Sequence, residues 1–172
     1  MSLSRRRFLK QLAAGAVAGA TAGVRRPAFA AGARVVVVGG GFGGATAAKY
    51  IRMWAPEVQV TLVERNREFI SCPLSNRVLA GQVELVDLTR GYGALSSKYS
   101  VEVVYDEAVA IDPDKRELSL EGGDVLPYDR LILSPGLDLL FDEIPGLREP
   151  AARERVLHAW RAGSLKIGRA HV

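Results

Sequence analysis

Three features of this sequence are of a kind and spacing that could do chemistry. Gly39-Gly40-Gly41-Phe42-Gly43-Gly44 contains the pattern Gly39-x-Gly41-x-x-Gly44. Glu64 follows 20 residues beyond Gly44, and Cys72 is the only cysteine of the chain. Glycines so spaced suit a backbone that must approach a phosphate. The first permits a tight turn, the second lets N–H groups near a pyrophosphate, and the third lets a helix pack closely on a strand. A carboxylate at that distance is placed to accept hydrogen bonds from a ribose 2′-hydroxyl, and it disfavours a 2′-phosphate. An NADP-type ligand is therefore not expected. Cys72 has two readings: a nucleophile, or a small buried apolar residue.

These residues need elements to hold them, and the flanking sequence supplies them. Val35-Val36-Val37-Val38 is a β-branched run suited to a strand buried on both faces of a parallel sheet. The run from Ala45 to Arg52 reads as a helix, whose N-terminus offers unpaired N–H groups and a positive dipole end to an anion. Val58 to Val63 reads as a second strand that ends directly before Glu64. The order strand, glycines, helix, strand, acid points to a dinucleotide, but does not by itself choose FAD over NAD. Farther on, Val101 to Tyr105 and Leu131 to Ser134 complete a parallel sheet of four strands. Ala108–Ile111 and Glu117–Leu120 form a hairpin about the turn Asp112-Pro113-Asp114-Lys115. A helix is expected over part of Leu85 to Tyr99.

Cys72-Pro73-Leu74-Ser75-Asn76, Asp112-Pro113-Asp114-Lys115, Tyr128-Asp129-Arg130 and His158-Ala159-Trp160 together resemble the flavoprotein subunit of flavocytochrome c sulfide dehydrogenases. The resemblance runs from about Arg34 to Gly163, the N-terminal part of that subunit. It implies an α/β fold: a Rossmann-like, FAD-binding parallel-sheet domain with a β-hairpin insert, cut off before a second dinucleotide-type domain. It implies FAD at Gly39, Gly41, Phe42, Gly43, Gly44 and Glu64, with Arg65 alongside and the Pro135-Gly136 turn returning to the flavin nucleotide. Pro135-Gly136 also reads simply as a strand exit, and Arg65 and Arg67 also read as a solvated loop. The resemblance further implies that Cys72 carries the flavin through a thioether to its 8α-methyl carbon. The implied reaction is sulfide oxidation, with electrons passing through FAD to a c-type cytochrome partner. That family also uses a redox-active cysteine pair, and with Cys72 alone these 172 residues hold neither member. No catalytic residue and no metal site is therefore expected within the chain. Two alternatives stand beside this reading: a sulfide:quinone or NADH-dependent flavoprotein reductase, and a non-catalytic FAD-binding electron carrier.

The composition is that of a globular chain, with 48% hydrophobic and 24% charged residues, which excludes collagen-like and low-complexity classes. A lone cysteine excludes an internal disulfide framework. The net charge of +4 would invite nucleic acid, but its location does not. Ser4-Arg5-Arg6-Arg7-Phe8-Leu9-Lys10 resembles a twin-arginine export signal, followed by an Ala/Gly-rich stretch and the A-x-A-like site Ala28-Phe29-Ala30. Residues 1–30 are thus expected to be a signal peptide, with a periplasmic domain over 31–163. Removing residues 1–30 takes away six basic and no acidic residues, so +4 becomes −2. Ile167 to Val172 matches an in-frame translation of a common sequencing-library adapter, so 164–172 is expected to be a non-native tail. Without Lys166 and Arg169 the net charge is −4. A mildly acidic domain argues against nucleic acid and suits a cytochrome partner. Trp54 and Trp160 read as packing residues, and His158 as a packed or solvent-facing residue.

Overall fold

The computed structural model describes residues 32–137 and 140–153. The expected signal peptide, His158, Trp160 and the 164–172 tail lie outside the described residues. At the centre is a parallel sheet in the order β5-β2-β1-β9, formed by β1 (Arg34–Val38), β2 (Gln59–Val63), β5 (Glu102–Val104) and β9 (Arg130–Leu133). Val37 pairs with Leu62 on one side and Ile132 on the other. These strands match the sequence expectation to within a residue at each end. Burial on both faces explains the unbroken valine run of β1: Val35, Val36 and Val37 are all buried.

Helix α1 (Phe42–Trp54) covers one face. Its buried positions are Gly44 and Ala48, four residues apart and both small, which lets the helix lie close to the sheet. Arg52 ties its end down, donating from Nε to the Tyr99 carbonyl at 3.0 Å and from Nη1 to the carbonyls of Pro56 and Val58. Trp54 is not the packing residue expected: it is 67% exposed. Tyr50 and Trp54 are also four apart, but on the outer face, where their rings meet at 5.0 Å.

The hairpin insert is a three-stranded antiparallel sheet of β6 (Ala108–Asp112), β7 (Glu117–Leu120) and β8 (Val125–Pro127). The third strand follows the Gly122-Gly123 turn, where Gly123 takes a φ of 95°. Asp112 Oδ1 accepts the N–H groups of Asp114 and Lys115 at 3.1 and 2.9 Å, closing the first turn as its residue types require. Leu118 and Leu120 form one core cluster with Tyr128, Val36 and Val63, so this small sheet covers the second face of the parallel one.

The link between β2 and β5 departs most from expectation. β3 (Glu68–Ile70) pairs antiparallel with β4 (Thr89–Gly91), and between them stand α2 (Ser75–Leu79) and α3 (Leu85–Leu88). The helix expected over part of Leu85 to Tyr99 is present as two, α3 and α4 (Gly93–Tyr99), with the unexpected β4 between them. Gly91 and Gly93 are poor helix formers, and the strand between the helices has a partner in β3 that outweighs helical continuity.

Candidate functional site

The site is built where β1 ends. Gly39 has a φ of 95°, and a Cβ there would run into the Ser134 carbonyl and come within 3.3 Å of the Pro135 Cα. Only glycine fits such a backbone at such an approach. A Cβ on Gly44 would meet the Gly39 carbonyl and, at 3.2 Å, a methyl of Val37. A Cβ on Gly43 would lie 2.7 Å from the Ser134 hydroxyl. Gly41 is different: a Cβ there would make one ordinary contact, 3.8 Å to the edge of Phe69. No protein neighbour requires glycine at that position, so the space above it is room for something else to come close.

Gly41 is also the N-cap of α1, and no side chain caps that end. The first-turn N–H groups therefore remain available, with the positive end of the helix dipole behind them. Glu64 stands beside this turn. Its Oε2 accepts the Gly40 N–H at 2.7 Å, while Oε1 accepts both the backbone N–H and the side-chain amide of Asn66 at 2.9 Å. Its own N–H continues the sheet ladder to the Val104 carbonyl at 3.0 Å. The carboxylate is thus oriented from two sides, by the glycine loop and by the turn that follows it.

Several of the residues singled out from sequence come together here. The Gly39–Gly44 loop, Glu64 and the start of the Ser134-Pro135-Gly136 turn converge, the last because Ser134 N–H extends the β1 ladder to the Val38 carbonyl at 2.8 Å. Pro135 and Gly136 are exposed, and Gly136 has a φ of 82°. Phe42 is 59% exposed and meets Phe69 edge to face, with centroids 4.9 Å apart. Arg65 turns to Glu107, 3.6 Å away in an exposed ion pair, and Arg67 lies 5.0 Å over the ring of Tyr105. Cys72 is half-buried. Its carbonyl accepts the Ser75 N–H at 3.0 Å and the Ser75 hydroxyl at 2.6 Å, which starts α2. It lies three positions beyond Phe69, a reach of about 10 Å at most, so β3 delivers the cysteine to the neighbourhood of the loop.

Two residues have structural roles that the sequence did not assign to them. Asp129 accepts the Arg34 N–H at 2.7 Å and lies 3.5 Å from the Arg34 guanidinium. That backbone N–H, with the charges of Arg34 and Arg116, holds its carboxyl below the usual aspartate range. It therefore joins the starts of β1 and β9 rather than acting on a ligand. Tyr92 is buried against Gly40, and its neighbours in sequence, Gly91 and Gly93, gave no sign of it. Among the described residues no group of histidines, cysteines and acids could hold a metal ion, and no helix is long and apolar enough to cross a membrane.

The comparisons with known proteins agree with this geometry. A sulfide dehydrogenase flavocytochrome c flavoprotein chain from Chlorobaculum thiosulfatiphilum is 62% identical over 45 residues, 26% of this chain and 94% of that one. The sulfide-quinone reductase of Aquifex aeolicus is 30% identical over 107 residues, 62% of this chain but 25% of its own length. The chain thus spans about a quarter of that relative. Among solved structures, the water-forming NADH oxidase of Lactobacillus brevis superimposes with a TM-score of 0.61 at 26% identity, over 69% of this chain and 28% of that one. The pyridine nucleotide-disulphide oxidoreductase model matches residues 33–172, and with the β1–glycine loop–α1 unit and Glu64 in place, the chain belongs to that family.

Proposed function

We propose that this chain is the FAD-binding part of a flavin-dependent sulfide oxidoreductase that passes electrons to a c-type cytochrome subunit. The observation that carries the reading is the joint at Gly40: its N–H fixes the Glu64 carboxylate at 2.7 Å, next to a glycine, Gly41, whose missing Cβ serves no protein neighbour. That combination fits a dinucleotide, with pyrophosphate on the loop and the N-terminus of α1, and ribose on Glu64. The choice of sulfide as substrate rests on the two sulfide-oxidising relatives, and the cytochrome on the name of one of them.

The flavin, when bound, supplies the two-electron redox chemistry. The residues of this chain bind and orient it. The loop N–H groups offset the pyrophosphate charge, Glu64 selects an unmodified ribose, and the edge of Phe69 with Phe42 walls the open side of Gly41. In this reading Cys72 tethers the flavin through the 8α-methyl carbon, residues 1–30 direct export by the twin-arginine route, and the domain works in the periplasm. The mild acidity of residues 31–163 suits a cytochrome surface of opposite charge.

The test is to express the whole chain with flavin, denature it in acid, and digest it with trypsin. The expected result is flavin absorbance that survives gel filtration, and flavin mass on the peptide Glu68–Arg77. Flavin retained but released by acid would remove the tether and keep the FAD site. No flavin at all would overturn the reading. The acceptor is decided separately, by whether the full-length gene product reduces cytochrome c or a quinone when given sulfide.

A further inference from the structure

Tyr92 stands between β4 and α4 and is 5% exposed. Its ring occupies the place a Cβ on Gly40 would take, with the hydroxyl oxygen 2.5 Å from that point. Gly40 is the residue whose N–H is given to Glu64. The hydroxyl therefore lies at the joint between the glycine loop and the ribose carboxylate. Burial first, then the Glu64 charge and Tyr105, push its pKa well above the usual phenol value, so it remains a proton donor throughout the neutral range. Among the described residues, none hydrogen-bonds that hydroxyl.

A phenylalanine would pack on Gly40 equally well and would leave no buried donor unsatisfied. Such a donor, buried without an acceptor, weakens the ligand-free fold. Its presence at this joint points to a partner that arrives with the ligand. We propose that the Tyr92 hydroxyl donates a hydrogen bond to the bound dinucleotide, on the stretch from adenosine ribose to pyrophosphate that lies between Glu64 and the loop N–H groups. This rests on the dinucleotide reading above and adds a contact residue to it.

The experiment compares the whole chain with its Tyr92→Phe variant, both carrying Cys72→Ser so that flavin can be removed. FAD, ADP and riboflavin are each titrated by calorimetry, and the ligand-free melting temperature is recorded. The variant should bind FAD and ADP about tenfold more weakly, as loss of one hydrogen bond predicts. Riboflavin binding should be equal in the two proteins, and the ligand-free melting temperature of the variant equal or higher. Equal FAD and ADP affinities in the two proteins would overturn the contact while leaving the FAD site intact. Weakening of riboflavin along with FAD, at constant ADP affinity, would overturn its placement at the adenosine end. A parent chain that binds neither FAD nor ADP would overturn the dinucleotide reading itself.

Discussion

The glycine loop at Gly39–Gly44 and the segment from Glu68 to Leu79 flank the same proposed ligand but are held by opposite means. The loop has almost no side chains, and at its two ends the nearest neighbours are backbone atoms: the Ser134 carbonyl against Gly39, the Gly39 carbonyl against Gly44. Backbone packed on backbone cannot give way. The segment instead comprises a three-residue strand, a turn and a five-residue helix, with Leu74 in the left-handed region at a φ of 72° and 55% exposed. Only Ser75 is fully buried within α2. Few buried contacts and short elements mark a part that opens at low cost. A rigid anchor for the charged end of the proposed ligand thus faces a compliant arm that carries Cys72, the proposed point of attachment. A tether needs that compliance, because the thiol must come to a carbon atom whose position the rigid half has already set.

The sharpest way to break this contrast is Gly44→Ala. The added methyl would enter the Gly39 carbonyl, and helix and strand would have to separate along the sheet. We expect a loss of more than about 3 kcal/mol, read as a collapsed or absent urea transition by circular dichroism. A wild-type midpoint would show the loop to be as yielding as the arm.

Cys72→Ser tests the other half. The same measurement should register a cost of at most about 1 kcal/mol, while covalent flavin disappears. If the substitution unfolded the domain, Cys72 would be a core residue, and the compliance argued for its segment would be wrong.

The smallest effect concerns two carboxylates outside both regions. Asp129 is held below the usual aspartate range chiefly by the Arg34 N–H, and Asp112 chiefly by the Lys115 N–H. A depressed folded-state pKa means that their contribution is complete above the ordinary aspartate pKa and is lost as pH falls through the lower folded value. Both groups are exposed, so the slope in stability should be shallow. Carbon-detected NMR titration should show both carboxyls titrating below an ordinary aspartate, and Asp129→Asn should remove its part of the acid slope. Titration at or above the ordinary value would mean that β1 and β9 are not pinned at their starts.

How much of this was legible in the chain differs between the same two regions. The valine run, the glycine spacing and Glu64 were readable because each is a local requirement: a strand buried on both faces, a left-handed turn, an acid one strand later. The Asp112 turn was readable for the same reason, since its hydrogen bonds reach only three residues ahead. The β3–β4 ribbon was not. Thr89-Arg90-Gly91 has no strand character of its own, and it becomes a strand because Glu68-Phe69-Ile70 lies beside it. Trp54 misled because residue type alone does not say which side of a helix faces the sheet.

The strand–loop–helix unit and its acid follow from residue chemistry that acts over a few positions, and a reader of the sequence can place them without a partner in view. The contacts that finish the site join residues far apart in the chain: Ser134 against Gly39, the ring of Tyr92 against Gly40, Phe69 beside Gly41. No periodicity or spacing encodes these meetings. They exist because the parallel sheet sets strand ends side by side, and close packing leaves each missing Cβ to be filled by whichever group the topology brings there.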